Sequence, residues 1–137
     1  VQSMVAEAGI QVKLKSMEFA SLLADQSAGK YQASQIGWSG RIDPDGNIHQ
    51  FVTSDGGIND SHFSDPKVDE LLNAARVAPS TEARKAAYDE ARAILIDDAP
   101  LVYLYHVKWI WAHNDNLKGF TPYPDGMIRL EGVTWEE

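Results

Sequence analysis

The chain has 137 residues, 44% of them hydrophobic, enough for one domain with a real core. Acidic residues outnumber basic ones by 20 to 12, giving a net charge of -8 with no run of lysine or arginine, which argues against a nucleic-acid partner. No stretch approaches the roughly 20 apolar residues of a membrane-spanning helix, so a soluble chain is expected, and the absence of cysteine removes disulfides, thiolate metal sites and thiol nucleophiles.

Val1 to Gly9 reads as the end of a helix, with Val1, Met4, Val5 and Ala8 on one face and Gly9 just past the end. It lacks the basic start and apolar centre of a secretory signal, and opening inside an amphipathic helix suggests a piece of something longer. From Ile10 the pattern changes to period two. Ile10, Val12 and Leu14 alternate with Gln11, Lys13 and Lys15, which predicts a half-buried strand. Phe19, Leu22 and Leu23 then recur at helical spacing between Glu18 and about Ala28, with Gly29 as the stop. Tyr31 to Trp38 reads as a second strand. Strand, helix and strand make a βαβ unit with parallel strands and a right-handed crossover, so the fold class expected is α/β.

Asp43 to Phe63 is rich in Gly, Asp, Asn and Ser and is expected to form a long surface loop. Asp65-Pro66 is a helix start, with Asp65 as N-cap and Pro66 in the first turn, leading to an apolar stripe of Val68, Leu71, Leu72 and Ala75. Ser80 caps a second helix whose stripe is Ala83, Ala87, Ala91, Ile94 and Leu95 and whose end is Asp97-Asp98-Ala99-Pro100. The two should form a helical hairpin. Leu101 to Ala112 is dense in β-branched and aromatic residues and reads as a strand buried on both faces. Asn114 to Phe120 is a turn, and the tail to Trp135 shows little periodicity.

The candidate binding element is Gly37 to Asn47. In open α/β sheets ligands sit beyond the carboxyl ends of strands, and Trp38 ends the second predicted strand, followed by Ser39, Gly40, Arg41 and Asp43. A core tryptophan is the competing reading. Asp43, Asp45 and Asn47 have the alternate spacing that opens a calcium loop, but Ile48 stands where that loop needs glycine and Ser54 where it needs glutamate; turn chemistry explains them better. The histidines His49, His62, His106 and His113 have no metal-ligand spacing. His106 and His113 fall on opposite faces of their strand. His49 and His62 lie on the long loop, where they could touch ligand, a surface histidine being the commoner explanation. Tyr103, Tyr105, Trp109 and Trp111 share a face and read as core. No Gly-x-Ser-x-Gly elbow, Walker loop or His-Glu-x-x-His is present, so no enzyme and no cofactor or metal is expected.

Taken in order, several stretches carry a resemblance. They are Ala8-Gly9-Ile10-Gln11-Val12, Gly29-Lys30-Tyr31-Gln32-Ala33, Gly37-Trp38-Ser39-Gly40, Asp43-Pro44-Asp45 and Ser64-Asp65-Pro66-Lys67-Val68-Asp69-Glu70-Leu71-Leu72. Arg84-Lys85-Ala86-Ala87-Tyr88, Asp97-Asp98-Ala99-Pro100-Leu101-Val102-Tyr103-Leu104 and Leu117-Lys118-Gly119-Phe120 follow. No one of them is specific, but together they span essentially the whole chain. It resembles the carboxyl-terminal part of the family 5 extracellular solute-binding proteins of ABC transporters, the peptide, oligopeptide and nickel binders.

The resemblance implies a periplasmic-binding-protein type II-like lobe, a mixed sheet with flanking helices, over residues 1–137. Its partners would be a small-molecule or peptide ligand, the missing N-terminal lobe and a membrane permease, in the periplasm or outside the cell. It implies that Trp38 is presented to the ligand. A sensor or transcriptional regulator using the same fold is the alternative. Arg41 departs from the peptide-binding members, many of which carry an aspartate near this place to meet a peptide's ammonium group. An arginine would favour a carboxylate, phosphate or hydroxyl-rich solute, or it would pair with Asp43 or Asp45 and shape the loop.

Overall fold

A computed structural model describes all 137 residues, which divide into two compact units, Val1–Ser34 and Gln35–Glu137. The first unit holds two helices, α1 (Gln2–Glu7) and α2 (Phe19–Ser27). Both stop where the sequence predicts. Gly9 and Gly29, each one residue beyond a helix's last cap, take φ of +81° and +64°, a left-handed turn that costs glycine nothing. Glu18 caps α2 by accepting the backbone N–H groups of Ala20 (2.9 Å) and Ser21 (3.0 Å). Those bonds favour the ionised carboxylate and lower the Glu18 pKa.

The second unit is built on three helices, α3 (Asp45–Val52), α4 (Pro66–Arg76) and α5 (Thr81–Asp98). The caps predicted for the last two are present: Asp65 accepts from Lys67 and Val68, and Ser80 from Ala83. Helices α4 and α5 pack as the expected hairpin, and α3 lies against α4. Val68, Leu71, Leu72 and Ala75 of α4 are all buried, as their stripe requires. Val68, Leu71 and Leu72 meet Val52 of α3 and Ala91 of α5, with Ile48, Phe51, Phe63, Ala87, Tyr88, Ile94, Leu95 and Leu101 around them. Ala83, expected in the α5 stripe, is exposed. Each large side chain fully withdrawn from water here contributes about 1.5–3 kcal/mol, and this cluster holds the unit together.

Three expectations are corrected. The stretch after Asp43 is no continuous loop, because α3 occupies its first part. Asp43 starts this helix by accepting the Asp45 N–H at 2.9 Å, and Ile48, Phe51 and Val52 supply an inward face at helical spacing. Only residues 53–64 remain irregular, organised by Asn59, whose amide donates to Thr53 O and Phe63 O and whose carbonyl accepts from Ser61 and the Phe63 N–H.

The predicted strands at 10–15, 31–38 and 101–112 are not formed, so the βαβ unit is absent. The reason is physical: alternation supplies a face for a strand, but a ladder needs a neighbouring strand to accept its hydrogen bonds. Ile10, Leu14, Val102, Tyr103, Tyr105 and Ile110 accordingly stand in solvent, Ile110 at 91% exposure. The sheet present is a two-residue antiparallel pair in the tail, β1 (Leu117–Lys118) with β2 (Thr134–Trp135). Beside it Trp111 packs edge-on against Phe120 (5.7 Å), and Trp111, His113, Leu117, Phe120, Ile128 and Leu130 line a shallow apolar depression. The chain mixes helix with this small sheet.

Histidine 49 is the third correction. It lies in α3 and is 7% exposed. Its Nε2 meets Asn73 Oδ1 of α4 at 3.0 Å and its Nδ1 faces Thr53 Oγ1 at 3.4 Å. It joins two helices and is no surface loop residue.

Candidate functional site

The loop that leads into α3 is shaped by one side chain, Asn47. Its Oδ1 accepts from the Trp38 indole Nε1 at 3.2 Å and from the Arg41 backbone N–H at 2.6 Å. Its Nδ2 donates to Arg41 O at 2.7 Å and Asp43 O at 2.9 Å. All four of an asparagine amide's hydrogen-bonding directions that a loop can use are filled. Asparagine suits this place because its short amide competes for backbone groups, which is why it favours turns and helix starts.

Trp38 is half-exposed, at 44%. Phe51 of α3 meets it edge-on with ring centroids 4.9 Å apart. The Arg41 guanidinium lies over the indole 4.4 Å from its centroid, a cation–π arrangement. Arg41 Nη1 also donates to Ser39 O and, at 3.1 Å, to Ser39 Oγ. Gly46 makes room for this stack, since a β-carbon there would sit 3.0 Å from Arg41 Cβ and 3.1 Å from Cγ. Gly40 faces Asn47 Oδ1 with ordinary clearance, 3.8 Å from where its own β-carbon would be.

The two aspartates of the loop turn away from Arg41. Asp43 pairs with Arg84 of α5 through both carboxylate oxygens, at 2.6 and 2.9 Å, and Asp45 pairs with Arg76 of α4 at 2.7 and 3.0 Å. These are bidentate forks. The guanidinium beside each carboxylate, with a backbone N–H added at Asp43, lowers both aspartate pKa values and raises those of the arginines. Asp43 and Asp45 therefore anchor the start of α3 to the hairpin.

The structure thus brings Trp38, Ser39 and Arg41 into one exposed cluster, leaves Gly40 beside Asn47, and ties Asp43 to Arg84 of α5. Arg41 does not pair with Asp43 or Asp45. Arg76, Arg84, Arg92 and Arg129 each have a carboxylate within 4.0 Å, whereas Arg41 has none. Sequence reasoning missed Asn47 as the organiser, although its place after Asp43-Pro44-Asp45-Gly46 carried a turn signal. It had no means to find Arg76 and Arg84, which lie 31 and 41 residues from their partners.

What this cluster offers chemically is recognition: an aromatic face, a cation without a counter-ion, a hydroxyl and open backbone. No family model matches the chain, but curated relatives do. Dipeptide-binding protein DppE of Bacillus subtilis is 29% identical over 124 residues, 90% of this chain and 23% of that protein. The dipeptide-binding protein of Escherichia coli is 26% identical over 99% of this chain and 26% of its own length. A probable deoxycholate-binding periplasmic protein, YgiS of Escherichia coli, is 30% identical over 82% of this chain and 21% of its own. The resemblance to the family 5 peptide- and oligopeptide-binding proteins therefore holds along nearly the whole chain, which spans about a quarter of the length of these relatives.

Proposed function

We propose that this chain is part of the substrate-binding component of an ABC importer, and that its Trp38–Arg41 face meets a solute bearing an anionic group. The solute is a peptide or a related small molecule, enclosed in an interlobe cleft and delivered to a membrane permease. On this reading residues 1–137 are the carboxyl-terminal part of a two-lobed protein that works in the periplasm or at the outer cell surface. The α/β lobe with its mixed sheet is then completed by chain outside these residues, where strands 10–15, 31–38 and 101–112 find their ladders. The relatives named for binding dipeptides support the role.

The observation that carries the anionic preference is the isolation of Arg41. In a chain of net charge -8 its guanidinium has no carboxylate partner, yet it is held in a fixed pose by the indole and Ser39. A planar donor fork kept in this way is suited to a carboxylate. Asp43 is proposed to contribute through the scaffold, with Ser39 and Gly40 flanking the solute.

The test is native mass spectrometry of the full-length protein purified without denaturation, followed by Arg41→Ala and Trp38→Ala variants titrated with whatever solute it carries. The expected solute has a carboxylate or other anionic group. Loss of one charge-assisted hydrogen bond of about 1.5–3 kcal/mol predicts a fall in affinity of roughly ten- to a hundredfold for Arg41→Ala, with the melting temperature nearly unchanged. Unaltered affinity in Arg41→Ala would remove the anionic reading, and a large stability loss in Trp38→Ala would make Trp38 core.

A further inference from the structure

We propose that Asn47 is the positioning residue of the Trp38–Arg41 face: it sets the indole through Nε1 and clamps the Arg41 backbone from both sides, so that the stacked guanidinium is presented in one orientation. The inference rests on the reading of that face as the solute contact. It goes beyond it by assigning the orientation to a residue that lies behind the face.

The geometry supports this on two independent counts. Trp38 has a single polar atom, Nε1, and Asn47 Oδ1 is its partner, so the indole's rotation about its own side-chain bonds is fixed by that one acceptor and by the edge of Phe51. Arg41 is held at both its N–H and its C=O by the same amide, at 2.6 and 2.7 Å. A residue tied through both of its flanking peptide units leaves only the side chain free, and that side chain runs along the surface that Gly46 keeps open. Asn47 itself is set by its place in the first turns of α3, whose start Arg84 and Arg76 hold through Asp43 and Asp45. The orientation of the exposed face is thus referred back to the hairpin.

Nuclear magnetic resonance of the 15N-labelled 137-residue chain tests it, with the Trp38 indole N–H signal assigned by its disappearance in Trp38→Phe. N-acetylglycine serves as probe, a carboxylate with no ammonium group. In Asn47→Ala the Trp38 indole signal should move toward that of an exposed indole and its exchange with solvent should quicken about fivefold, the effect of losing one ordinary hydrogen bond. The shifts that N-acetylglycine produces at Trp38 should vanish, while helical circular dichroism is retained. Asn47→Asp keeps the acceptor and should keep the indole signal, a rescue that a merely structural role would not give. Gly46→Ala should show the opposite separation, with the indole signal retained and the N-acetylglycine response lost as Arg41 is pushed aside.

An indole signal that stays in place in Asn47→Ala overturns the proposal, whatever the probe does. Should Asn47→Ala fail to fold, Asn47→Asp decides: a folded Asn47→Asp chain with an exposed-type indole signal overturns it equally. A wild-type chain that shows no shift at Trp38 with N-acetylglycine, while Asn47→Ala still frees the indole, overturns the claim that this face by itself takes a carboxylate and leaves Asn47's hold on the indole standing.

Discussion

The tail of the second unit is richer in apolar residues than its helical part, yet it is the helical part that buries them. Between Asp45 and Asp98 the apolar side chains converge, and Val52, Val68 and Leu72 are at most 1% exposed. Between Val102 and Ile110 most of them face solvent, with Tyr103 at 78% exposure. The difference lies in where each element finds its hydrogen-bond partners. A helix satisfies its backbone within itself and needs only one face covered, and α4 and α5, joined by a short link, cover each other. A strand has no internal partner, and β-rich sequence without a neighbour remains open however apolar it is.

The largest expected effect that sharpens this contrast is Leu72→Ala. A buried leucine truncated in a packed core loses about 2–5 kcal/mol, which should lower the thermal midpoint followed by circular dichroism at 222 nm by many degrees. A loss below about 1 kcal/mol would mean that the hairpin is as loosely packed as the tail.

Acidification comes next in size. Asp43 and Asp45 are held below their ordinary pKa by Arg84 and Arg76, and Asp125 in the tail is brought to about 2 by Arg129 and the Met127 N–H. A depressed folded-state pKa means the unfolded chain binds protons first as pH falls. The stabilisation these groups contribute is therefore complete above the ordinary carboxylate range near pH 4 and is lost progressively below it. The thermal midpoint should fall between about pH 4 and pH 2. Asp43→Asn together with Asp45→Asn should flatten that fall, and a slope unchanged in the double variant would assign it elsewhere.

The smallest effect should be at Ile110. At 91% exposure its replacement by Ser should alter stability by no more than about 0.5 kcal/mol. A larger loss in this 137-residue chain would show that the tail packs more closely than the comparison holds.

The same contrast explains what the sequence made legible. Helices α2, α4 and α5 were readable from Glu18, Asp65, Ser80 and Gly29 and from stripes at three- and four-residue spacing, all signals that lie within a few residues of their effect. The βαβ reading failed because period two at Ile10, Val12 and Leu14 describes a capacity to pair and carries no information on whether a partner is at hand. Helix α3 was obscured by Gly46 and Asn47, residues that ordinarily mark turns, although Ile48, Phe51 and Val52 already carried its inward face. At the candidate site, Trp38, Ser39 and Arg41 were singled out from an expected strand-to-loop junction, and they cluster although that strand is not formed. The destination of Asp43 could not be found, because Arg84 is 41 residues away and ion pairs leave no periodic trace.

Those two distant arginines give the loop a particular dependence. Apart from Trp38, residues 38–47 bury little apolar surface of their own, and they take their shape from a helix start that is bolted to α4 and α5. Their order is borrowed from the core. Damage at Leu72 would reach Trp38 through Arg76 and Asp45 without touching the face itself, so a drop in binding marks a contact residue in this chain only when the hairpin has kept its melting temperature.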